Sequence, residues 1–206
     1  MAVQATAVAK ARPRYEQRRL EVLRAAATTF NRKGFHVATL DDVAEDLGVT
    51  KPALYYYARS KDELLAACGE LAIASLQTAL DSAEAAGRSA ASRLSGFFTL
   101  YAQVICGDFG RCLVLTEPRD LAPESRVVNL AGRRSLNLAV RQMIDDGVAA
   151  GEFGACDVRA VAIALFDAFN GLAKWFDPKG STKLESLVEQ YLALFLHGLA
   201  REPAAR

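Results

Sequence analysis

The sequence predicts an all-α protein of about nine helices, with a small N-terminal three-helix unit ahead of a larger C-terminal helical domain. Three observations predict it. Ala and Leu dominate a chain of 206 residues whose hydrophobic share is 51%, with only six prolines, a composition that favours helices. Apolar residues recur at helical spacing and no strand pattern is present. Two helix-start signals, Thr39 with Asp42 and Ser60 with Glu63, fall within one short stretch. A chain of this length can bury a sizeable core.

In chain order, residues 1–13 are Ala-rich, basic and end in Pro13, and read as a mobile arm. A helix follows from Arg14 to Lys33, with Leu20, Leu23, Ala27 and Phe30 on one face. Gly34 stops it, and Phe35 anchors the next connection. The stretch TLDDVAEDLGVTKPALYYYARSKDE, Thr39 to Glu63, then reads as two short helices joined by a Gly-Val turn. Leu40, Val43, Ala44 and Leu47 give the first helix an apolar face. Gly48 supplies the positive φ that helix C-termini favour, and Val49 tucks under the turn. Thr50 is expected to cap the second helix, where Pro52 is tolerated in the first turn. That helix is expected to bury Val49, Ala53 and Leu54 and to present Thr50, Lys51, Tyr55 and Tyr56. Hydroxyls, a phenol pair and a cation on one short helix suit a phosphate-lined groove. The stretch is a helix-turn-helix, and the chain reads as a DNA-binding regulator.

From Ser60 a long helix runs to Gly87 as a connector, and a second occupies Ser89 to Cys106. Residues 107–124 contain Gly107, Gly110, Pro118 and Pro123, which leave room for a short helix at Arg111–Thr116. A helix from Ser125 to Ala150 stops at Gly151. The last two, 157–176 and 182–200, are separated by the Asp177-Pro178-Lys179-Gly180 turn. The division expected is an arm at 1–13, a DNA-binding domain at 14–60 and an effector-binding and dimerisation domain at 61–206.

Net charge is +1, but it is unevenly placed: residues 1–33 carry +6 and residues 66–206 carry −2. A basic end on a near-neutral body suggests one surface facing a polyanion. Four widely spaced cysteines form no CxxC, and with two histidines no zinc pattern or other cofactor site emerges. Reduced, buried thiols in a cytoplasmic protein are expected, with Cys106 and Cys112, flanking a Gly-Asp-Phe-Gly turn, as the one candidate redox pair. No signal peptide is evident. No apolar run reaches membrane-spanning length; the nearest, Val158 to Phe176, is interrupted by Arg159, Asp167, Asn170 and Lys174. GxGxxG, P-loop, GxSxG and HExxH motifs are absent, so an enzyme is not expected.

Gly34-Phe35, Thr39, Asp42-Val43-Ala44, Leu47-Gly48-Val49, Leu54-Tyr55-Tyr56-Tyr57 and Ser60-Lys61-Asp62-Glu63-Leu64 together resemble the TetR family of transcriptional regulators over residues 14–65. Two positions depart from the family pattern: Tyr57 replaces a His, and Ala58 replaces the Phe that packs beneath the recognition helix. The resemblance implies a homodimer that puts the second helix of each helix-turn-helix into the major groove. By position, Thr50, Lys51, Pro52 and Ala53 would face base edges. Tyr55, Tyr56 and Lys61 would contact phosphates, and Thr39 would donate to the backbone. The chemistry agrees: Lys51 can approach guanine, and Pro52 and Ala53 can meet a thymine methyl. With so few base-reading side chains, phosphates should carry much of the affinity, and salt should weaken it steeply. Arg12 and Arg14 would add contacts from the arm.

The C-terminal half matches more loosely, through Gly151-Glu152-Phe153 and Trp175-Phe176-Asp177-Pro178-Lys179-Gly180. Family members with such a Trp-Phe turn include several that respond to acyl-CoA thioesters. The final two helices are apolar over most of their surface. The expected dimer interface includes Val161, Leu165 and Phe169 on one, and Leu187, Tyr191 and Phe195 on the other. Two-fold symmetry would match operator half-sites about 34–36 Å apart. Phe97, Phe98, Tyr101, Ile105, Leu136, Val140, Met143 and Phe166 are the expected walls of an effector pocket, with Arg133, Arg134 and Arg141 at its mouth. The function expected is a repressor of a palindromic operator, released by a small apolar effector such as an acyl-CoA. The competing readings are a helical protein-interaction adaptor and a redox-controlled regulator without effector.

Overall fold

The computed structural model describes residues 2–87 and 89–198, and of residues 2–13 the backbone alone. Its helices are α1 (Ala2–Lys33), α2 (Leu40–Leu47), α3 (Lys51–Tyr55), α4 (Lys61–Ala86), α5 (Ala90–Cys106), α6 (Asp108–Leu115), α7 (Pro123–Ala149), α8 (Val158–Trp175) and α9 (Leu184–His197), with a 3-10 turn at Pro118–Asp120. No strand occurs among the described residues. The all-α expectation holds. Two boundaries moved. α1 takes in the backbone of the expected arm, although the side chains there, Arg12 among them, lie outside the described residues. The region of glycines and prolines after Cys106 holds a full eight-residue helix, α6, as well as the 3-10 turn. The expected end of the last helix, Ala200, also lies outside the described residues.

The chain forms two compact units. One comprises residues 1–72 together with 108–129, the other 73–107 with 130–206. In the first unit α1 packs against α2 and α6. Its core joins Val22, Leu23, Ala26, Ala27 and Phe30 of α1 to Val43 and Ala44 of α2 and Leu54 of α3. Leu64, Leu65 and Cys68 of α4 complete it with Cys112 and Leu121. Residues 108–129 therefore close the N-terminal core, whereas the chain order places them in the C-terminal domain. The amide of Asn31 fixes the start of α6 by donating to the Asp108 carbonyl at 2.9 Å.

In the second unit α5 packs against α8 and α9. Phe97, Phe98, Ala102 and Ile105 of α5 are buried with Val140, Met143 and Ile144 of α7 and Leu165, Phe169 and Leu172 of α8. The Gly151-Glu152-Phe153 segment has a defined job here. Gly151 takes φ 74° after α7, a conformation that favours glycine. The Glu152 carboxylate then accepts from the Ala90 and Ala91 N–H groups at 3.1 and 3.0 Å, supplying partners that the first turn of a helix lacks. Those two N–H groups hold its carboxyl below the usual range. Phe153 lies against Gly147, where a Cβ would stand 2.2 Å from the ring. The Asp177–Gly180 corner closes on its own backbone, with the Gly180 N–H donating to the Asp177 carbonyl at 3.0 Å and the Lys179 N–H to the Asp177 side chain at 2.9 Å.

By length and composition, the single helix among the described residues that could cross a membrane is α4, not the stretch from Val158 to Phe176. Half of its qualifying length is buried within the chain, where Leu64, Leu65, Cys68 and Leu76 are core residues.

Candidate nucleic-acid interface

α2 is held at both ends. At its start, Thr39 Oγ1 accepts from the Asp42 N–H at 3.2 Å, and Asp42 Oδ2 accepts from the Thr39 N–H at 2.9 Å, closing the capping box. Lys33 Nζ donates to the same carboxylate at 2.8 Å. This contact, with the Thr39 bonds, holds the Asp42 carboxyl down to about 2. At the far end Asp46 accepts from the buried Thr29 hydroxyl and, at 2.7 and 2.9 Å, from Arg32, and these partners lower its carboxyl also. Gly48 then turns the chain at φ 69°, and the Val49 N–H returns to the Ala44 carbonyl at 3.0 Å, the hydrogen bonding of a left-handed helix stop.

Two expectations about α3 change. Thr50 precedes the helix in extended conformation but makes no side-chain capping bond; its carbonyl, not its hydroxyl, serves the helix by accepting from the Ala53 and Leu54 N–H groups. Ala53 is exposed rather than buried. The physical reason is length: a five-residue helix has room for one inward anchor, and Leu54 fills it at 1% exposure. Thr50, Lys51, Pro52, Ala53, Tyr55 and Tyr56 are therefore all exposed on one short element. Lys51 Nζ contacts Asp41 at 2.8 Å; both side chains are water-exposed, so the pair is weak and can yield to a base edge. Thr39 is exposed at the start of α2, and the capping box uses its oxygen as acceptor, leaving the hydroxyl hydrogen to donate elsewhere.

Lys61 departs from its expected role. Its ammonium donates to the carbonyls of Phe35, His36 and Ala38 at 2.9, 3.2 and 3.2 Å and lies 4.6 Å from the centre of the Phe35 ring. An ammonium has three protons, and all three are committed to the connection between α1 and α2. Ser60 accepts from the Glu63 N–H, but the Glu63 carboxylate takes the Arg59 N–H instead of returning to Ser60. The Phe missing at position 58 leaves a buried Ala58, and Tyr57, half-buried, packs on the core beside it. Tyr57 is also stacked on Tyr15 of α1 at 5.5 Å. Helical periodicity had given Tyr15 no role; the signal available was an aromatic residue within the basic run Arg14–Arg19.

Residues 22–68 match the family of bacterial regulatory proteins of the tetR type, and residues 87–199 match a tetracyclin repressor-like C-terminal domain. The chain belongs to the TetR family. This TetR chain is 26% identical over 189 residues to the HTH-type transcriptional repressor KstR2 of Rhodococcus jostii, covering 89% of this chain and 91% of that one. It is 30% identical to the solved TetR-family regulator PfmR of Thermus thermophilus, with a TM-score of 0.79 over 87% of this chain and 99% of the other. At 17% identity and a TM-score of 0.79, covering 87% and 98%, it shares the fold of AibR, solved in complex with isovaleryl coenzyme A and operator DNA. As a TetR-family member, the chain is a DNA-binding transcriptional regulator.

Of the eight residues expected to wall an effector pocket in this TetR chain, seven are buried and Phe166 is half-buried. Phe97, Phe98, Ile105, Val140 and Met143 are wholly buried, and Tyr101 and Leu136 nearly so. Phe98 lies 5.4 Å from Phe166 and 4.7 Å from Phe169, and Tyr101 lies 5.4 Å from Phe166. Rings at these separations fill the space between them. The Tyr101 hydroxyl donates to Asn170 at 2.7 Å, and burial raises its pKa. Arg133 is half-buried near Tyr101, while Arg134 is exposed. A separate groove of about 220 Å³ is lined by Leu94, Phe153, Val161 and Phe195 among others, below the roughly 300–1,000 Å³ of ordinary ligand pockets.

Of the expected dimer residues, Leu165 and Phe169 are buried inside the single chain and cannot meet a partner. The cause is the contact of α8 with α5, which claims that face. Val161, Leu187, Tyr191 and Phe195 are half-buried, and Ile163, Trp175 and Leu194 are the exposed large apolar side chains of α8 and α9. Cys112 and Cys68 are both buried in the first unit's core, where each thiol shifts the pKa of the other, and the Cys68 thiol donates to the Leu23 carbonyl at 3.4 Å.

Proposed function

We propose that the protein is a transcriptional repressor that binds a palindromic operator as a homodimer and is released by a small apolar effector, with acyl-CoA thioesters as the ligand class. The observation that carries the DNA half is α3: anchored by Leu54 alone, it leaves Thr50, Lys51, Pro52, Ala53, Tyr55 and Tyr56 exposed together. Thr50 to Ala53 face base edges, and Tyr55, Tyr56 and Thr39 meet phosphates. The relatives named KstR2 are described as repressors, and AibR, of the same fold, binds isovaleryl coenzyme A. Because the expected pocket walls pack against one another, the effector binds by parting them. Ligand therefore selects a minority conformation, and its differential affinity for the open core sets how far the equilibrium moves. α4 runs unbroken from one unit into the other and carries the change to the DNA-binding end.

The test uses duplexes recovered by in vitro selection from a random pool, followed by fluorescence anisotropy over a salt series. Tight, symmetric selected sites and a steep fall with salt are expected; no enrichment of any sequence would sink the repressor reading. Isovaleryl-CoA and longer acyl-CoAs should then raise the melting temperature and lower DNA affinity, with free coenzyme A as control. A flat response to every thioester removes the effector half alone. The burial of Cys68 and Cys112 in one core, each thiol perturbing the other, supports a second reading, control by oxidation. Hydrogen peroxide would convert the two thiols to a disulfide with release of two waters, read as a loss of two hydrogens in mass with loss of DNA binding.

A further inference from the structure

Tyr56 lies immediately beyond a five-residue helix and is 72% exposed. A tyrosine so placed has two free χ angles and would lose that freedom on meeting a phosphate. Two neighbouring rings hold it. Tyr15 meets it edge-on at 5.8 Å and 82°, and Tyr57 meets it edge-on at 5.1 Å and 87°. Tyr15 and Tyr57 are themselves stacked at 5.5 Å and 23°. All three pairs fall in the range and orientations that aromatic rings favour. The three are not equivalent. Tyr57 leans on the hydrophobic core, whereas Tyr15 is outside that cluster and its ring contacts are with the other two tyrosines. Tyr15 also sits beside Arg14, Arg18 and Arg19, and it precedes the segment matched to the family, which begins at residue 22.

We propose that Tyr15 is a positioning residue for DNA binding: stacked on Tyr57, it closes a three-ring cluster that fixes the exposed Tyr56 side chain before it meets the phosphate backbone. The inference rests on the DNA-binding reading and adds to it a part for α1. The ring of Tyr15 does this work, and its hydroxyl is not required.

The experiment compares wild type with Tyr15→Ala, Tyr15→Leu, Tyr15→Phe, Tyr56→Ala and the Tyr15→Ala/Tyr56→Ala double variant on one selected duplex, over a salt series. Wild-type binding establishes the DNA-binding reading separately. Tyr15→Ala and Tyr15→Leu should weaken binding about two- to twelvefold, the range that one lost aromatic pair corresponds to, with the salt slope unchanged. Tyr15→Phe should bind as wild type, and Tyr15→Ala should add nothing once Tyr56 is gone. Additive losses would overturn the proposal, as would a Tyr15→Leu variant that binds normally. If Tyr15→Phe loses as much as Tyr15→Ala with a shallower salt slope, Tyr15 contacts a phosphate itself and the cluster is not the reason. If Tyr15→Leu does not fold, Tyr15 is a stability residue and the proposal falls.

Discussion

Lys61 and Asp42 show how local chemistry decides a role that position alone leaves open. By its place in the motif Lys61 belongs to the phosphate contacts, yet its three protons go to the carbonyls of Phe35, His36 and Ala38. Lys61→Met should therefore lower stability by about 1–3 kcal/mol, the cost of leaving part-buried polar groups without partners. It should leave the salt slope of DNA binding unchanged, whereas a lost phosphate contact reduces that slope by about one. Thermal melts and anisotropy separate the two. Asp42 has its carboxyl held down to about 2, and Asp46 is lowered as well. A lowered folded-state value means stabilisation that is present above the ordinary carboxylate range, about 4, and is lost as pH falls toward 2. The melting temperature should therefore drop between about pH 4 and 2, and Asp42→Asn should flatten that drop while lowering the plateau at neutral pH. The sequence shows the capping of Thr39 by Asp42 but not the Lys33 and Phe35 contacts, because those partners come from the end of α1 and the connection after it rather than from the same helix.

At the scale of elements, the short helices were the legible ones. Thr39 with Asp42, Gly48 and Pro52 are local signals acting within one turn, and α2 and α3 lie where they point. Thr50 shows the limit of such signals: a β-region residue before a helix has the right backbone for a cap without having to use its side chain. Lys51 offers the most direct test of α3: Lys51→Ala should weaken binding to the selected duplex by about 1–3 kcal/mol and relax the preference for guanine at one position of each half-site, and unchanged affinity and preference would leave Lys51 in its pair with Asp41. The junction of α5 and α7 was not legible. Gly147 looks like an ordinary helix interior, yet a Cβ there would stand 2.2 Å from the Phe153 ring. Gly147→Ala should cost about 1–3 kcal/mol through overpacking, against the small gain that Gly→Ala brings in an open helix. Chemical denaturation reads the difference directly.

At the scale of the molecule, burial in α8 and α9 divides residues that look alike in the sequence. Leu165 and Phe169 serve the chain's own core, whereas Ile163, Trp175 and Leu194 remain exposed and Val161 and Tyr191 half-buried. If Ile163 and Leu194 meet the second copy, Ile163→Asp with Leu194→Asp should shift sedimentation from dimer to monomer while leaving the helical circular dichroism intact. Operator affinity should fall with it, because each half-site would be bound alone. Leu165→Ala, by contrast, should lower stability by about 2–5 kcal/mol, as buried Leu→Ala changes do.

The sequence by itself determined the helices, the helix-turn-helix and the family, because caps, glycine stops and apolar spacing act over a few residues and are written consecutively. Only the tertiary structure decided which apolar faces meet. It placed residues 108–129 in the N-terminal unit, packed the expected pocket walls against one another, buried Cys112 in the same core as Cys68 and set Tyr15 against Tyr56 and Tyr57. Those outcomes depend on contacts between residues far apart in the chain, and an apolar stripe says that a face will be buried without saying against what.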